Sequence, residues 1–312
     1  MPISEVLDTA QKISSMEIRG AGKIGRAAAT ALKAAAEGSK ARDAKTFLAE
    51  LEEAGKTLIA ARPTAVSLPN AVRFVLSRLR SAPPQGVDEL RKAAIIAAEE
   101  FIKNSISAVE RIGEIGAKRF SDGDVVLTHC NSMAVNAVLR TAWRSGKKFE
   151  VYVTESRPRY QGHITARQLA EEGIPVTMIV DSAVRYIMKD VDKVIVGADS
   201  IAANGAAVNK IGTAQIALVA REARALFFVA AESYKFHPET LLGSLVEIEE
   251  RDAMEVADPG EFPGVRIRNP AFDVTPPEYI DLIITEKGII PPQAAIMVIR
   301  EEFGWALGAN QR

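Results

Sequence analysis

Residues 124–130 read DVVLTHC, a short run of β-branched and apolar residues that ends in polar ones. The same kind of run returns along the chain, each time separated from the next by a stretch with helical spacing. The further runs are FEVYVTES (149–156), VTMIVD (176–181), KVIVGAD (193–199), ALFFVAAES (225–233) and DLIITEKG (281–288). Several are apolar almost throughout, as strands buried on both faces are. Strands that alternate with helices in this way predict an α/β fold with a mainly parallel, doubly wound sheet.

The residues before this region have a different pattern. Apolar positions in SEVLDTAQKISSMEI, near the start of the chain, follow helical spacing, and the later GRAAATALKAAAEG is rich in the strong helix former alanine. The pattern changes at Ser121. We therefore predict a helical N-terminal domain over residues 1–120 and an α/β domain over residues 121–312.

Composition narrows the classes of function. The chain has 312 residues, of which 47% are hydrophobic and 25% charged, with a net charge of −1, so nothing favours binding to nucleic acid or to an anionic membrane. No apolar run reaches the length of a membrane span, and the N-terminus lacks a signal-peptide core. One cysteine excludes an internal disulfide framework, and three scattered histidines show no metal-ligand spacing. We expect a cytoplasmic protein without metal or cofactor.

The stretch RGAGKIG, residues 19–25, places Gly20, Gly22 and Gly25 in a G-x-G-x-x-G spacing. Dinucleotide binding needs a strand before these glycines and an acidic residue at the end of the next strand. Here the flanking runs are both helical, and Asp43 opens another helix. The glycines therefore join two helices, and Arg19 precedes a helix start that suits an anion. A plain helix–helix turn is the alternative.

Cys130 and Asp199 follow two of the predicted strands, at the edge of the sheet where such folds bind ligands. Cys130 precedes a predicted helix whose N–H groups would lower the pKa of its thiol, although a buried structural cysteine is the alternative. His129 is an unsuitable partner for Cys130, since neighbours along a strand point to opposite faces. Asp199, after four apolar residues, should have a raised pKa and act as a general acid, unless it merely caps the next helix.

Basic and amide side chains recur at the ends of predicted elements. SIAANGAAVNKIG (200–212) is predicted to be a loop that brings Asn209 and Lys210 to a helix start, a second position for an anion. Arg62 stands at a loop-to-helix junction, and Lys235 follows a strand. Each alone could be a solvated surface charge. Together with the thiol and the carboxyl group, they predict a small, multiply phosphorylated substrate.

Six segments carry a resemblance to a known superfamily. They are RGAGKIG, ARPTAVSLPNAV (61–72), LTHCNS (127–132), ESRPRYQG (155–162), GADSIAANGAAVNKIGT (197–213) and AESYKF (231–236). In this order they resemble the superfamily of the methylthioribose-1-phosphate isomerases, the archaeal ribose-1,5-bisphosphate isomerases and the regulatory alpha, beta and delta subunits of initiation factor 2B. The resemblance implies a helical N-terminal domain, a Rossmann-like C-terminal domain and a dimer built on the latter.

Particular residues favour one branch of this superfamily. The initiation-factor subunits typically lack the cysteine and often carry Glu in place of Asp199. The methylthioribose-phosphate enzymes lack the lysine of AESYKF, and their GAD loop has Arg and Asp where this chain has Ser200 and Ala206. The closest resemblance is to the archaeal ribose-1,5-bisphosphate isomerases, which make ribulose 1,5-bisphosphate in AMP breakdown. A non-catalytic regulatory subunit and a methylthioribose-1-phosphate isomerase stay open as alternatives.

The resemblance also implies a role for each matching residue. Cys130 would remove the C2 proton of the sugar, and Asp199 would protonate the ring oxygen. The phosphate-binding residues it implies are Arg19, Gly20, Ala21, Gly22, Arg62, Ser132, Met133, Ala134, Asn209, Lys210 and Lys235. It further implies a homo-oligomer, a hexamer built from dimers, and AMP as an activator would suit the pathway.

Overall fold

The computed structural model describes residues 4–80, 86–243 and 246–308. Their backbone forms two compact units, one made of the described residues up to Ser107 and from Glu302 onward, the other of Ala108–Glu301. This division falls inside a long helix, ahead of the sequence-predicted domain boundary at residue 120. The boundary itself stays a prediction.

The first unit is helical. Its elements are α1 (Ser4–Ser14), α2 (Ala21–Gly38), α3 (Ala44–Ala61), α4 (Ser67–Arg80) and the beginning of α5 (Val87–Ala117). Within it, α2 packs against α4 and α1 against α3. Gly20, directly before α2, has φ of 88°, a left-handed conformation that glycine adopts without strain. Gly20 thus lies between two helices, as predicted, whereas Gly22 and Gly25 lie within the first turns of α2 and are buried there.

The second unit contains the sheets. Its strands are β1 (Val125–Thr128), β2 (Glu150–Thr154), β3 (Val176–Ile179), β4 (Lys193–Gly197), β5 (Ser200–Ile201), β6 (Ala207–Lys210), β7 (Leu226–Ala230), β8 (Phe272–Thr275), β9 (Leu282–Thr285) and β10 (Gly288–Ile290). The helices between them are α6 (Met133–Arg144), α7 (Gln161–Glu171), α8 (Val184–Ile187) and α9 (Thr213–Ala223), and α10 (Ala295–Gly308) ends the described chain.

Seven strands form the main sheet in the order β10-β9-β7-β4-β1-β2-β3. The six predicted strands pair in parallel throughout, and only β10 runs antiparallel to its neighbour. Apart from β10, this is the Rossmann order, in which the chain winds outward first through β2 and β3 and then through β7 and β9. The predicted α/β fold is therefore confirmed.

The core of the second unit is built on this sheet. Five of its strands bury large apolar residues in the same cluster, among them Val126, Val151, Ile195, Phe228 and Ile284. The apolar face of α6, including Val138 and Leu139, packs against them. Burial on this scale fixes the strand register, because a shift by one residue would turn the apolar set to the other face.

The segment 200–212, predicted to be a loop, instead carries β5 and β6. They pair with each other, and β6 also pairs with β8, in an antiparallel sheet of three strands. The prediction was wrong because β5 has only two residues and β6 contains Asn and Lys, so neither shows the β-branched pattern that marks a strand. Pairing with the distant β8 stabilises β6, which in turn pairs with β5.

Candidate active site

The direction of winding reverses between β1 and β4, and the crevice at such a switch point is where open α/β sheets bind ligands. Cys130 lies just beyond β1, and Asp199 lies just beyond β4. The two strands are parallel neighbours, with Leu127 opposite Val194, so their carboxyl ends lie at the same edge. The charge of Asp199 contributes to raising the pKa of Cys130, which places both groups within electrostatic reach of each other. The topology therefore brings the two predicted catalytic residues together.

Cys130 is half-buried, and its backbone N–H and its carbonyl oxygen are both hydrogen-bonded to side chains. Its φ of 69° lies in the left-handed region, which is uncommon for a residue with a side chain. Its N–H donates to Ser156 Oγ at 2.8 Å, and its carbonyl oxygen accepts from Thr165 Oγ1 at 2.8 Å. These contacts from β2's end and from α7 fix the strained conformation and hence the position of the thiol.

The pKa of the Cys130 thiol is raised to about 11, and burial is the largest cause. The charges of Lys210 and Arg251 oppose this shift without cancelling it. The predicted lowering by a helix N-terminus is therefore wrong. Helix α6 begins at Met133 rather than directly after the cysteine, and Ser132 caps it, accepting the N–H of Val135 at 3.4 Å.

His129 points away from the thiol into a buried hydrogen-bond network. Its Nε2–H donates to the carbonyl oxygen of Ile211 at 2.9 Å, and Nδ1 lies 2.6 Å from Thr154 Oγ1. Because a carbonyl oxygen only accepts, Nδ1 is left to accept from the Thr154 hydroxyl. Burial lowers the pKa of the imidazole, so the ring is neutral, and it links the end of β1 to the end of β2 and to the segment after β6.

Asp199 is half-buried, and its N–H donates to the carbonyl oxygen of Val208 at 2.8 Å. Within residues 4–80, 86–243 and 246–308, no group donates a hydrogen bond to its carboxylate. The same strand end carries Gly197, where an added Cβ would lie 2.6 Å from Ser132 Oγ. Because Gly197 has no side chain, the Ser132 side chain can pack against the end of β4, close in sequence to Asp199.

Asn209 and Lys210 end β6 shortly before α9 begins, so they lie in a strand and not in the predicted loop, and their role in binding an anion stays a prediction. Gly212 and Ala214, at the start of α9, donate their N–H groups to Asp273 at 2.7 and 3.1 Å. This part of the helix start is already bound to a carboxylate of the chain itself. Burial, opposed by these hydrogen bonds, raises the pKa of Asp273 to about 6.

Lys210 nevertheless faces the site. Its residue is only 4% exposed, and its Nζ donates to the carbonyl oxygen of Ala271 at 2.9 Å. Its ammonium lies 4.7 Å from the centre of the Phe272 ring. Arg251 lies on the same ring, with its guanidinium carbon 5.6 Å from the centre. The sequence reasoning missed Arg251, because it follows no recognisable strand or motif.

Lys235 is buried at the end of β7, in a 3-10 turn over Ser233–Lys235. Its Nζ lies 2.6 Å from Glu232 Oε2, and the other oxygen of Glu232 accepts from Tyr234 Oη at 3.1 Å. Two of the phosphate-binding residues implied by the resemblance are therefore buried lysines of the second unit. A buried cation of this kind needs an anion beside it, and here Glu232 supplies one.

The other predicted binding residues are placed as follows. Met133 and Ala134 form the first turn of α6, the former exposed and the latter buried. Arg19–Gly22 precede and begin α2, and Arg62 follows α3, all in the first unit. Their role in binding stays a prediction.

Among the residues that the structure describes, no His, Cys, Asp and Glu side chains cluster as metal ligands. In the same ranges no helix has both the length and the apolar character needed to cross a bilayer.

Comparison with known proteins agrees with the sequence resemblance. The initiation factor 2 subunit family matches residues 17–292. The chain therefore belongs to this family. Its curated relatives include the ribose 1,5-bisphosphate isomerase of Thermococcus kodakarensis, 58% identical over 98% of this chain and 97% of the relative. They also include a methylthioribose-1-phosphate isomerase of Desulforamulus reducens, 41% identical over 91% and 86%.

A solved structure supports the fold assignment. The translation initiation factor eIF-2B of Pyrococcus horikoshii OT3 superposes with a TM-score of 0.81, at 34% identity, over 94% of this chain and 99% of the other. The predicted superfamily is thereby confirmed. Its isomerases and its initiation factors share this fold, so function has to be argued from the site.

Proposed function

We propose that this protein is an aldose–ketose isomerase that converts alpha-D-ribose 1,5-bisphosphate into D-ribulose 1,5-bisphosphate. The observation that supports this most is the pairing of Cys130 with Asp199 at the switch point between β1 and β4. A thiol and a carboxyl group at one site provide the base and the acid that such an isomerisation needs. The proposal also draws on the relative that is 58% identical and is named for this reaction.

The substrate's chemistry explains why two groups are needed. The C1 oxygen carries a phosphate, so the sugar cannot open to a free aldehyde, and the ring oxygen has to be protonated instead. Asp199 gives this proton while the bond from C1 to the ring oxygen breaks. The Cys130 thiolate takes the proton from C2, which leaves an enol across C1 and C2. Return of a proton from Cys130 to C1, with loss of the enol hydroxyl proton to Asp199, gives the ketone and restores both groups.

The high pKa of Cys130 is compatible with this scheme, because one proton moves between Cys130 and Asp199. Transfer of one proton from the Cys130 thiol to the Asp199 carboxylate would give the thiolate and the carboxylic acid that catalysis needs. The states before and after this transfer differ only in the position of one proton, and the net charge of the pair is the same in both. A thiol with a pKa of about 11 is rarely ionised at neutral pH, but its thiolate is a strong base toward carbon.

The phosphates are bound, in this proposal, by residues implied by the sequence resemblance. In the second unit these are Ser132, Met133, Ala134, Asn209, Lys210 and Lys235, and in the first they are Arg19–Gly22 and Arg62. Lys210 and Lys235 support the assignment, because both residues are buried and Lys210 acts electrostatically on Cys130. A sugar with a phosphate at each end would suit two separate buried cations.

Two other functions have an observation in their favour. The ion pair between Glu232 and Lys235 neutralises the lysine that would select a second phosphate, which suits a methylthioribose-1-phosphate isomerase. The 34% sequence identity to the eIF-2B of Pyrococcus horikoshii OT3 suits a non-catalytic regulatory subunit. Against the former stands the lower identity to that enzyme, 41% compared with 58%. Against the latter stands the retained pair of Cys130 and Asp199.

The proposal includes a cytoplasmic homo-oligomer, a hexamer built from dimers, with AMP as a possible activator. Sedimentation of the purified protein gives the mass of the assembly. Repeating the activity measurement with and without AMP tests activation.

The experiment that tests the function is incubation with alpha-ribose 1,5-bisphosphate, with methylthioribose 1-phosphate in a parallel reaction. We expect ribulose 1,5-bisphosphate to form and the monophosphate to remain unchanged. Conversion of the monophosphate alone would instead identify the methylthioribose branch. No conversion of either sugar, with or without AMP, would contradict enzymatic function and favour the regulatory alternative.

A further inference from the structure

Arg251 lies in an extended segment beside the strand β8. The N–H of Arg251 donates to the carbonyl oxygen of Asn269 at 2.9 Å, and the N–H of Ala271 donates to that of Glu249 at 2.8 Å. Side chains alternate along an extended chain, so Glu249 and Arg251 share one face while Glu250 takes the other. Burial agrees with this, since the side chains of Glu249 and Arg251 are 18% and 10% exposed. The inner face of this segment therefore presents one acid and one arginine.

The guanidinium of Arg251 is only partly used by the protein. Its Nε donates to Glu249 Oε1 at 2.8 Å, and the group lies against the ring of Phe272. In the described ranges, its two terminal nitrogens donate to no protein acceptor. They are the two nitrogens of the guanidinium fork that remain able to bind an oxyanion.

A second cation lies on the same aromatic ring. Lys210 is almost fully buried, and among the residues that the structure describes only one of its three N–H donors has an acceptor, the carbonyl oxygen of Ala271. Burial lowers the pKa of Lys210, and the charge of Arg251 lowers it further. The charges of Asp199 and Glu249 oppose this lowering, so nearby carboxylates partly balance the two cations. The N–H groups of Lys210 and Arg251 that have no acceptor among the described residues remain able to bind an oxyanion.

We propose that Arg251 and Lys210 together bind one phosphate group of the substrate, with Glu249 orienting the guanidinium. This inference rests on the proposed isomerase function and adds to it a binding residue that neither the sequence motifs nor the resemblance indicated. Both cations also act on Cys130 electrostatically. The phosphate they hold is therefore bound close to the reacting carbons.

The chain offers a matched control on the outer face of the same segment. Arg268 pairs with Glu250 at 2.8 Å, as Arg251 pairs with Glu249, but its side chain is 65% exposed. Replacing Arg268 by Gln removes the same charge and the same kind of ion pair. It leaves the inner face as it is.

The test compares Arg251→Gln, Glu249→Gln and Arg268→Gln in the full-length protein, by calorimetric titration with inorganic phosphate and by steady-state kinetics with ribose 1,5-bisphosphate. For Arg251→Gln we expect phosphate affinity to fall and KM to rise by about tenfold or more, as loss of a charge-assisted contact does, with a smaller change in kcat. For Arg268→Gln both should stay near the wild-type values. For Glu249→Gln, phosphate should bind at least as tightly as in the wild type, because a negative charge has been removed.

Equal losses in Arg251→Gln and Glu249→Gln would overturn the proposal, since a purely structural ion pair predicts them. Wild-type phosphate affinity in Arg251→Gln would overturn it as well. Should that variant fail to fold, Arg251→Lys decides the matter, with weakened phosphate binding as support and unchanged binding as refutation. The phosphate titration needs no turnover. A wild type that binds phosphate through Arg251 without converting the sugar would contradict the isomerase function alone.

Discussion

The ionisation of Cys130 gives the sharpest prediction. It is the only cysteine in the chain, so alkylation by iodoacetamide reports on this thiol alone. Its pKa is raised from 9.0 to about 11, and only the thiolate reacts. At neutral pH the thiolate fraction should therefore be about a hundredfold below that of an unshifted thiol, because each pKa unit is a factor of ten.

Two charges should shift this reactivity in opposite directions. Asp199 raises the pKa of Cys130 and Lys210 lowers it, so Asp199→Asn should speed alkylation and Lys210→Gln should slow it. We expect changes of about three- to tenfold in each direction, which correspond to roughly half to one pKa unit. Lys189→Gln and Asp190→Asn are matched controls that should leave the rate unchanged. Both residues are exposed and precede the first residue of β4, whereas Asp199 follows its last residue.

The assay follows the alkylation rate against pH by mass spectrometry. Half-burial slows the reaction at every pH, but the pH dependence isolates the ionisation. We expect the logarithm of the rate to rise steadily up to about pH 9.5 without a plateau, since the thiol stays mostly protonated there. A plateau below about pH 9 would refute the high pKa, and shifts of the same sign in both variants would refute the electrostatic account.

Other perturbations test the surroundings of the site. Lys235→Met leaves the Glu232 carboxylate buried without its cation and should lower the free energy of unfolding by about 3–5 kcal/mol. Adding Glu232→Gln should restore stability in urea melts but not bisphosphate binding, and restored binding would contradict a phosphate role for the lysine. Ser156→Ala removes the acceptor of the Cys130 N–H, which should cost about 1–3 kcal/mol and lower kcat more than it changes KM; unchanged kinetics would exclude a positioning role. The pKa of Asp273 is raised to about 6, so its proton stabilises the folded state fully below about pH 4, and this contribution is lost as pH rises through about 6. The contribution should be under about 3 kcal/mol, because the carboxyl group is partly exposed. Urea unfolding at pH 4 and pH 7.5 should show a smaller pH dependence in Asp273→Asn, and an equal dependence would contradict the assignment.

The sequence predicts the main sheet well because parallel strands buried on both faces carry unbroken apolar runs. KVIVGAD and DLIITEKG are such runs, and both form parallel strands in the sheet. The strands β5, β6, β8 and β10 escaped prediction. They are two to four residues long, and the pairing of β6 with β8 joins segments more than sixty residues apart, which local propensity does not report.

The placement of Cys130 and Asp199 could be predicted from the sequence because position in the fold determines it, while their catalytic roles stay predictions. Cys130 and Asp199 follow strands that proved to flank the switch point, so their strand ends sufficed. Side-chain environment was harder to predict. The raised pKa of Cys130 depends on burial and on a loop that separates it from α6. The carboxylate of Asp273 at the start of α9 comes from a strand about sixty residues further along the chain, and only the folded structure brings it there.

The central claim is that the pair of Cys130 and Asp199 isomerises a sugar bisphosphate. The most direct measurement compares the wild type with Cys130→Ser for formation of ribulose 1,5-bisphosphate from alpha-ribose 1,5-bisphosphate, with binding of the substrate measured in parallel. We expect turnover by the wild type and none by Cys130→Ser, because a serine hydroxyl is far less acidic than a thiol. The affinity of the variant for the substrate should be nearly unchanged. Full activity of Cys130→Ser, or no product from the wild type, would contradict it.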